Sequence, residues 1–180
     1  MDDNGYPGRW LAIGRGDETR PDQWLMAYSF GGRSDGSKNR MATFDNGAVR
    51  LVAPGMTAEE MAAAPDAALI YYVAMAEKAG VFVVSNGAQT LPVLDAVVEG
   101  ASLEEAIKAA PPTPGMVNKK LVDVPLSSYE PDEPNFTPRI TGLLDLRDEA
   151  VTPFGLAVVS RNPFTEEPDH NIYQSRLEDI

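Results

Sequence analysis

Apolar positions in this chain fall into short runs punctuated by turn residues. Trp10-Leu-Ala-Ile-Gly14 and the run from Trp24 to Phe30 have the length and composition of strands, and the polar stretch between them, with Gly16, Asp17 and Pro21, predicts a hairpin. Met41 to Phe44 and Ala48 to Ala53 flank Asp45-Asn46-Gly47, and Asn-Gly between two such runs is a strong hairpin signal. The first third of the chain is therefore expected to be an antiparallel meander. Helical spacing takes over next. Thr57-Ala-Glu-Glu60 has the capping-box form, and the alanine-rich segment Asp66 to Ala79, stopped by Gly80, predicts a helix carrying Tyr71 and Tyr72.

The remaining runs alternate again between strand and helix. Val81-Phe-Val-Val84 reads as a fully buried strand, Ser85 to Thr90 as a tight turn, and Leu94 to Glu99 as a helix. Ser102-Leu-Glu-Glu105 caps another short helix that ends before Pro111. Residues 111 to 138 are proline-studded and predicted to be an irregular loop, a length that in compact domains accompanies function or disorder. Ile140 to Leu146 and Phe154 to Ser160 close the chain as strands, and residues 161–180 are expected to be an irregular tail. Strands, then helices, then strands fit an α+β sandwich better than a parallel βαβ fold.

Length and composition narrow the possible functions. A chain of 180 residues with 43% hydrophobic and 8% aromatic content fits one domain with a substantial core. The formal charge of −12 argues against a general nucleic-acid binder, because neutralising phosphates requires a basic face. With no cysteine there is no disulfide, thiolate metal site or Cys nucleophile, and the single His170, in the expected tail, cannot alone build a zinc site. Met-Asp-Asp-Asn offers no basic or apolar leader and no run reaches membrane-spanning length, so the expected address is the cytoplasm.

Candidate chemistry collects in four polar clusters at strand ends or turns: Tyr6 to Arg9, Arg33 to Arg40, Ser85 to Thr90, and Glu130 to Arg139. The second belongs to Gly31-Gly-Arg-Ser-Asp-Gly-Ser-Lys-Asn-Arg40, where glycines permit close backbone approach to an oxyanion and guanidinium groups can grip it in two places. That loop fits neither the P-loop nor the dinucleotide spacing. Arginine, asparagine, carboxylate and tyrosine side chains suit anion recognition and proton transfer.

Taken together and in this order, NGYPGR, GGRSDGSKNR, VVSNGAQT and EPDEPNFTPRITG resemble the archaeal-type IMP cyclohydrolase family and its bacterial relatives, from Asn4 to about Leu146. The resemblance implies a cyclohydrolase-like domain over residues 1–160 with a four-layer αββα sandwich like that of the Ntn hydrolases. It implies closure of formamido-imidazole-carboxamide ribonucleotide to IMP with loss of water, the last step of de novo purine synthesis, without a cofactor. A homo-oligomer acting on a small purine ribonucleotide is implied as well. By motif position, Arg40 and Asn39 become substrate-polarising donors, Tyr71 a proton donor, and Glu130 or Asp132 the proton-transfer carboxylate. Arg33 and Arg139 are expected to contact phosphate or the catalytic carboxylate, and Ser85, Asn86 and Gly87 to shape the base pocket. Arg9, Ser34, Asn135 and Thr137 complete the expected substrate contacts. Relatives usually have a polar residue where Ala88 stands, an Asn where Tyr72 stands, and further structure beyond the equivalent of Ile180. Two alternatives remain open: a decayed nucleotide-binding protein of the same fold, and an Ntn-type amidohydrolase, which would need an N-terminal nucleophile that Met1-Asp2-Asp3 lacks.

Overall fold

The computed structural model describes residues 8–20, 22–64, 66–148 and 154–175. The Asn4 to Pro7 part of the first polar cluster lies outside the described residues, while Gly8 and Arg9 lie within them.

Strands β1 (Trp10–Arg15) and β2 (Trp24–Ser29) form the expected hairpin as a separate two-stranded antiparallel sheet. A seven-stranded antiparallel sheet holds β3 (Met41–Asp45), β4 (Ala48–Val52), β5 (Val73–Lys78), β6 (Val81–Ser85), β9 (Arg139–Asp145), β10 (Phe154–Arg161) and β11 (Pro168–Ser175), in the order 11-10-9-6-5-4-3. The Asn46-Gly47 turn joining β3 to β4 has positive φ at both residues, the conformation such a hairpin demands.

Helices α4 (Thr90–Val98) and α5 (Leu103–Lys108) cover one face of the large sheet. They bury Val93, Leu94, Val97, Leu103 and Ile107 against Val81, Val83, Leu143 and Val159. The β1–β2 hairpin covers part of the other face, where Gly142 on β9 leaves room for Leu11 and Ile13. The protein is thus α+β with antiparallel sheets, and among the described residues the layers are helix, sheet and hairpin. The fourth, outer helical layer of the expected sandwich is not among them.

Three expectations are corrected. The helix predicted from Asp66 to Ala79 is only α3 (Ala67–Ile70), after which the chain turns through Tyr71 into β5. Alanine spacing suited a helix, but Val73 and Ala76 are held as a strand by β4 and β6 on either side, and this pairing overrides weak local propensity. The supposedly irregular 111–138 stretch contains a hairpin, β7 (Thr113–Val117) and β8 (Lys120–Val124), which packs on α3 beside α2 (Ala58–Ala63). Within the expected tail, residues 168–175 form β11, and the His170 ring lies 2.8 Å from the Ser127 carbonyl oxygen. β11 alternates exposed Asp169, Asn171 and Tyr173 with half-buried His170 and Ile172, a polar-rich pattern in which the edge-strand period is easily missed.

Candidate functional site

The large sheet delivers its polar residues to one end. Where β6 ends, the chain turns sharply through Ser85, Asn86 and Gly87 into α4, and the neighbouring β9 begins at Arg139. Asn86 ties the two together. Its side-chain amide donates to the Pro138 carbonyl at 2.8 Å, its side-chain oxygen accepts the Ile140 N–H at 2.8 Å, and its own backbone N–H donates to the Ile140 carbonyl at 3.2 Å. Ser85 is spent internally, its hydroxyl meeting Gly87 O and the Thr90 hydroxyl. Gly87 must be glycine, because a Cβ there would collide with the Arg139 guanidinium.

At the centre is Glu130, whose backbone N–H donates to Thr137 O and whose side chain is 1% exposed. Arg9 Nη1 donates to its carboxylate at 2.8 Å and to the Asn86 carbonyl at 3.0 Å. Arg139, also 1% exposed, has Nη1 3.9 Å from the same carboxylate oxygen. It donates to Gln89 Oε1 and to the Pro125 carbonyl, each at 3.1 Å. Both guanidinium groups keep a buried Nε–H with no acceptor among the described residues, an arrangement that native interiors seldom tolerate without purpose. Burial pushes the Glu130 carboxyl above the usual range, with Arg9 and Arg139 pulling against it. Burial also disfavours charge on Arg9, yet the field of Glu130, with Tyr72 and Tyr28, turns its net shift upward.

Arg40 approaches the same region from below. Its three nitrogens donate to the carbonyls of Ser37 (2.9 Å), Ile70 (3.1 Å) and Gly31 (2.7 Å), and its guanidinium lies 5.6 Å from the Phe30 ring centre. Those bonds fasten the glycine-rich loop to α3 and commit one N–H of each Arg40 side-chain nitrogen to backbone. Beside it, the Tyr28 and Tyr72 hydroxyls share a 2.8 Å hydrogen bond. Burial first, then the partner tyrosine, raises Tyr28 far above the usual phenol range. Burial likewise raises Tyr72, against the pull of Arg9 and Arg40.

A cleft of about 200 Å³ opens over this cluster. Arg9 and Glu130 reach it from the interior, and Arg33, Ser34, Asp132 and Asn135 line its rim. Ser34 caps α1 (Asp35–Lys38), accepting the Ser37 N–H at 3.2 Å. Asp132 accepts the Thr137 N–H at 2.6 Å and its hydroxyl at 2.5 Å, which folds the 130–138 loop over the cleft. Arg33 Nη1 stands 3.7 Å from Asp132 and 3.5 Å from the Thr137 hydroxyl.

The structure therefore brings together Arg9, Arg33, Ser34, Asn86, Glu130, Asp132, Asn135, Thr137 and Arg139. Asn39 is an exposed residue ending α1 and lines no cavity described. Tyr71 faces a different groove, its hydroxyl meeting, among the described residues, the Met56 sulfur at 3.9 Å. Tyr72 is the tyrosine within the electrostatic reach of Arg9, Arg40 and Glu130. Sequence reasoning passed over Tyr28, Tyr72 and Gln89 as site residues. Gln89 is 0% exposed, and a buried amide must find specific partners, but that burial is visible only in the structure. Among the described residues no group of His, Cys, Asp and Glu could hold a metal ion, and no helix is long and apolar enough to cross a membrane.

The fold is antiparallel α+β, and it seals arginine and carboxylate side chains beneath a polar cleft. The family model described as IMP cyclohydrolase-like protein matches residues 6–171. The chain belongs to that family. No curated protein matches it.

Proposed function

We propose that the chain is an IMP cyclohydrolase, closing a formamido-imidazole-carboxamide ribonucleotide to IMP and water in purine synthesis. The observation that supports this most directly is Glu130, buried between Arg9 and Arg139 at 2.8 and 3.9 Å under a cleft of matching polarity. Ring closure joins the carboxamide nitrogen to the formyl carbon of the same molecule, so proximity is largely supplied by the substrate. The protein must stabilise negative charge on the formyl oxygen, pass it the proton that the attacking carboxamide nitrogen loses, and protonate the resulting hydroxyl so that it leaves as water while the formamido nitrogen gives up its own N–H to form the C=N bond.

Guanidinium donors beside the formyl oxygen provide the first function, each such donor typically contributing a factor of about 10² to 10³. Glu130 provides the second. Burial raises its carboxyl above the ordinary range while two arginines favour the anion, and we assign the proton-transfer role to this group. Arg33 and Ser34, at the open rim, are placed for the ribose phosphate.

The test is ultraviolet absorbance of purified protein mixed with the formylated substrate, because ring closure changes the chromophore. Formation of IMP that is lost in Glu130→Gln supports the reading. Unchanged substrate overturns it; if IMP nevertheless raises the melting temperature, a nucleotide-binding protein without the activity remains.

A further inference from the structure

A second concavity lies on the far side of α3 from the Glu130 cleft. It is a groove of about 420 Å³ floored by Leu51 of β4 and walled by α2, α3 and β7. Its walls are unusually smooth. Ala62 and Ala68 present single methyl groups, and Gly115 presents none, a Cβ there being excluded by collision with Ala68. The Tyr71 and Tyr72 rings form the end of the groove, which continues past them into a smaller pocket of about 210 Å³. Cavities that bury small ligands have this size and this mainly apolar lining, with a few polar groups that fix orientation.

One charged residue lines the groove, and it is a cation. Arg50 on β4 is exposed, and among the described residues its side chain has neither an ion pair nor a hydrogen bond. In a chain of formal charge −12 an unpaired arginine beside an apolar slot is a specific attraction for an anion. The Tyr71 hydroxyl, engaged among the described residues by a distant sulfur, is a second donor along the same wall.

We infer that this groove is a binding site, separate from the Glu130 cleft, for a flat aromatic molecule carrying one carboxylate-like group. The ring system lies between the alanine and glycine walls against the tyrosine rings, and the anionic group meets Arg50. A neutral apolar ligand would leave Arg50 without a role, and a polyanion would gain nothing from the walls.

The probe is 2-naphthoate, with 2-naphthamide as its neutral counterpart, titrated by NMR against the full chain. A ligand this small should bind with a Kd on the order of 1 mM. The acid should bind about 5- to 10-fold tighter than the amide, and Arg50→Gln should erase that difference while leaving amide binding intact. Ala62→Trp fills the groove from an exposed helical position and should abolish binding of both. Phe44→Ala, in the other apolar cleft beside Trp24, should change nothing. Equal affinity for acid and amide, binding that survives Ala62→Trp, or binding lost in Phe44→Ala overturns the proposal. None of the three substitutions touches the Glu130 cluster. Cyclisation, if present, should therefore persist in all of them, and its loss in Arg50→Gln would make the groove part of the reaction site and refute a separate one.

Discussion

Replacing Glu130 by Gln keeps the shape of the side chain and removes its charge. The native carboxylate is 1% exposed, 2.8 Å from Arg9 and 3.9 Å from Arg139, so the substitution leaves two enclosed guanidinium groups facing a neutral amide. Removing one member of a buried ionic group costs about 3–5 kcal/mol, because the remaining charge has lost both water and partner. For a chain of this size that corresponds to a fall in melting temperature of roughly 6–20 °C. A double variant separates the electrostatic cause from a packing fault. Arg9→Met removes one stranded charge, so Glu130→Gln/Arg9→Met should be more stable than the sum of the single losses by about 1–3 kcal/mol. Stability read by urea denaturation and cyclisation read by absorbance should both fall in Glu130→Gln, and only stability should partly recover in the double variant. A Glu130→Gln protein as stable as the parent, or single effects that simply add, would refute the claim that this carboxylate balances the arginines.

Three further outcomes follow from other residues. The Tyr28 hydroxyl is raised by burial, so above its ordinary value near pH 10 the unfolded chain releases a proton that the folded one retains; stability present below pH 10 should fall with rising pH by up to about 1.4 kcal/mol per unit. Tyr28→Phe should flatten that alkaline slope in urea titrations between pH 9 and 11, and an unchanged slope contradicts the assignment. Arg40→Ala should lower stability by about 2–4 kcal/mol, since it frees the carbonyls of Gly31, Ser37 and Ile70, with any loss of activity recovered by added stabilising osmolyte; a stable but inactive variant would return Arg40 to the chemistry. Gly115→Ala should destabilise by about 1–3 kcal/mol through collision with Ala68, and Ala68→Gly in the same chain should restore most of the loss in thermal melts.

Legibility in the sequence divides along physical lines. The β1–β2 and β3–β4 hairpins and the capping boxes at Thr57 and Ser102 were readable because each is decided within about ten residues. β5 was misread because its identity is decided by neighbours, β4 and β6, that no local window contains. The β7–β8 hairpin was hidden by Pro111, Pro112, Pro114 and Pro125, although its Asn118-Lys119 turn, with positive φ at both residues, is a conformation asparagine accepts. Glu130, Asn86 and Arg139 were legible as motif residues, but their distances were not. Nothing in the string Asn39-Arg40 distinguishes a guanidinium aimed at a ligand from one spent on Ser37, Ile70 and Gly31. The misplacement of Tyr71 has the same origin, since adjacent residues point to opposite sides once the chain turns from helix into strand.

An acidic chain that encloses Arg9 and Arg139 around Glu130 sets up two opposed electrostatic scales. At distances beyond about 10 Å the surface charge is screened by salt and only weakly repels an approaching phosphate. Inside the cleft, whose lining also carries Asp66, Asp132 and Glu133, an anion that enters is attracted by the guanidinium donors of Arg9 and Arg33 at hydrogen-bond range. Binding of an anionic ligand at the Glu130 cleft should therefore speed up in association as salt rises from about 10 to 150 mM, whereas its dissociation should change little. Stopped-flow measurement of AICAR binding would show this directly. Association that slows with added salt would mean that the acidic surface does not extend around the cleft mouth and that the ligand is met by a positive field from the start.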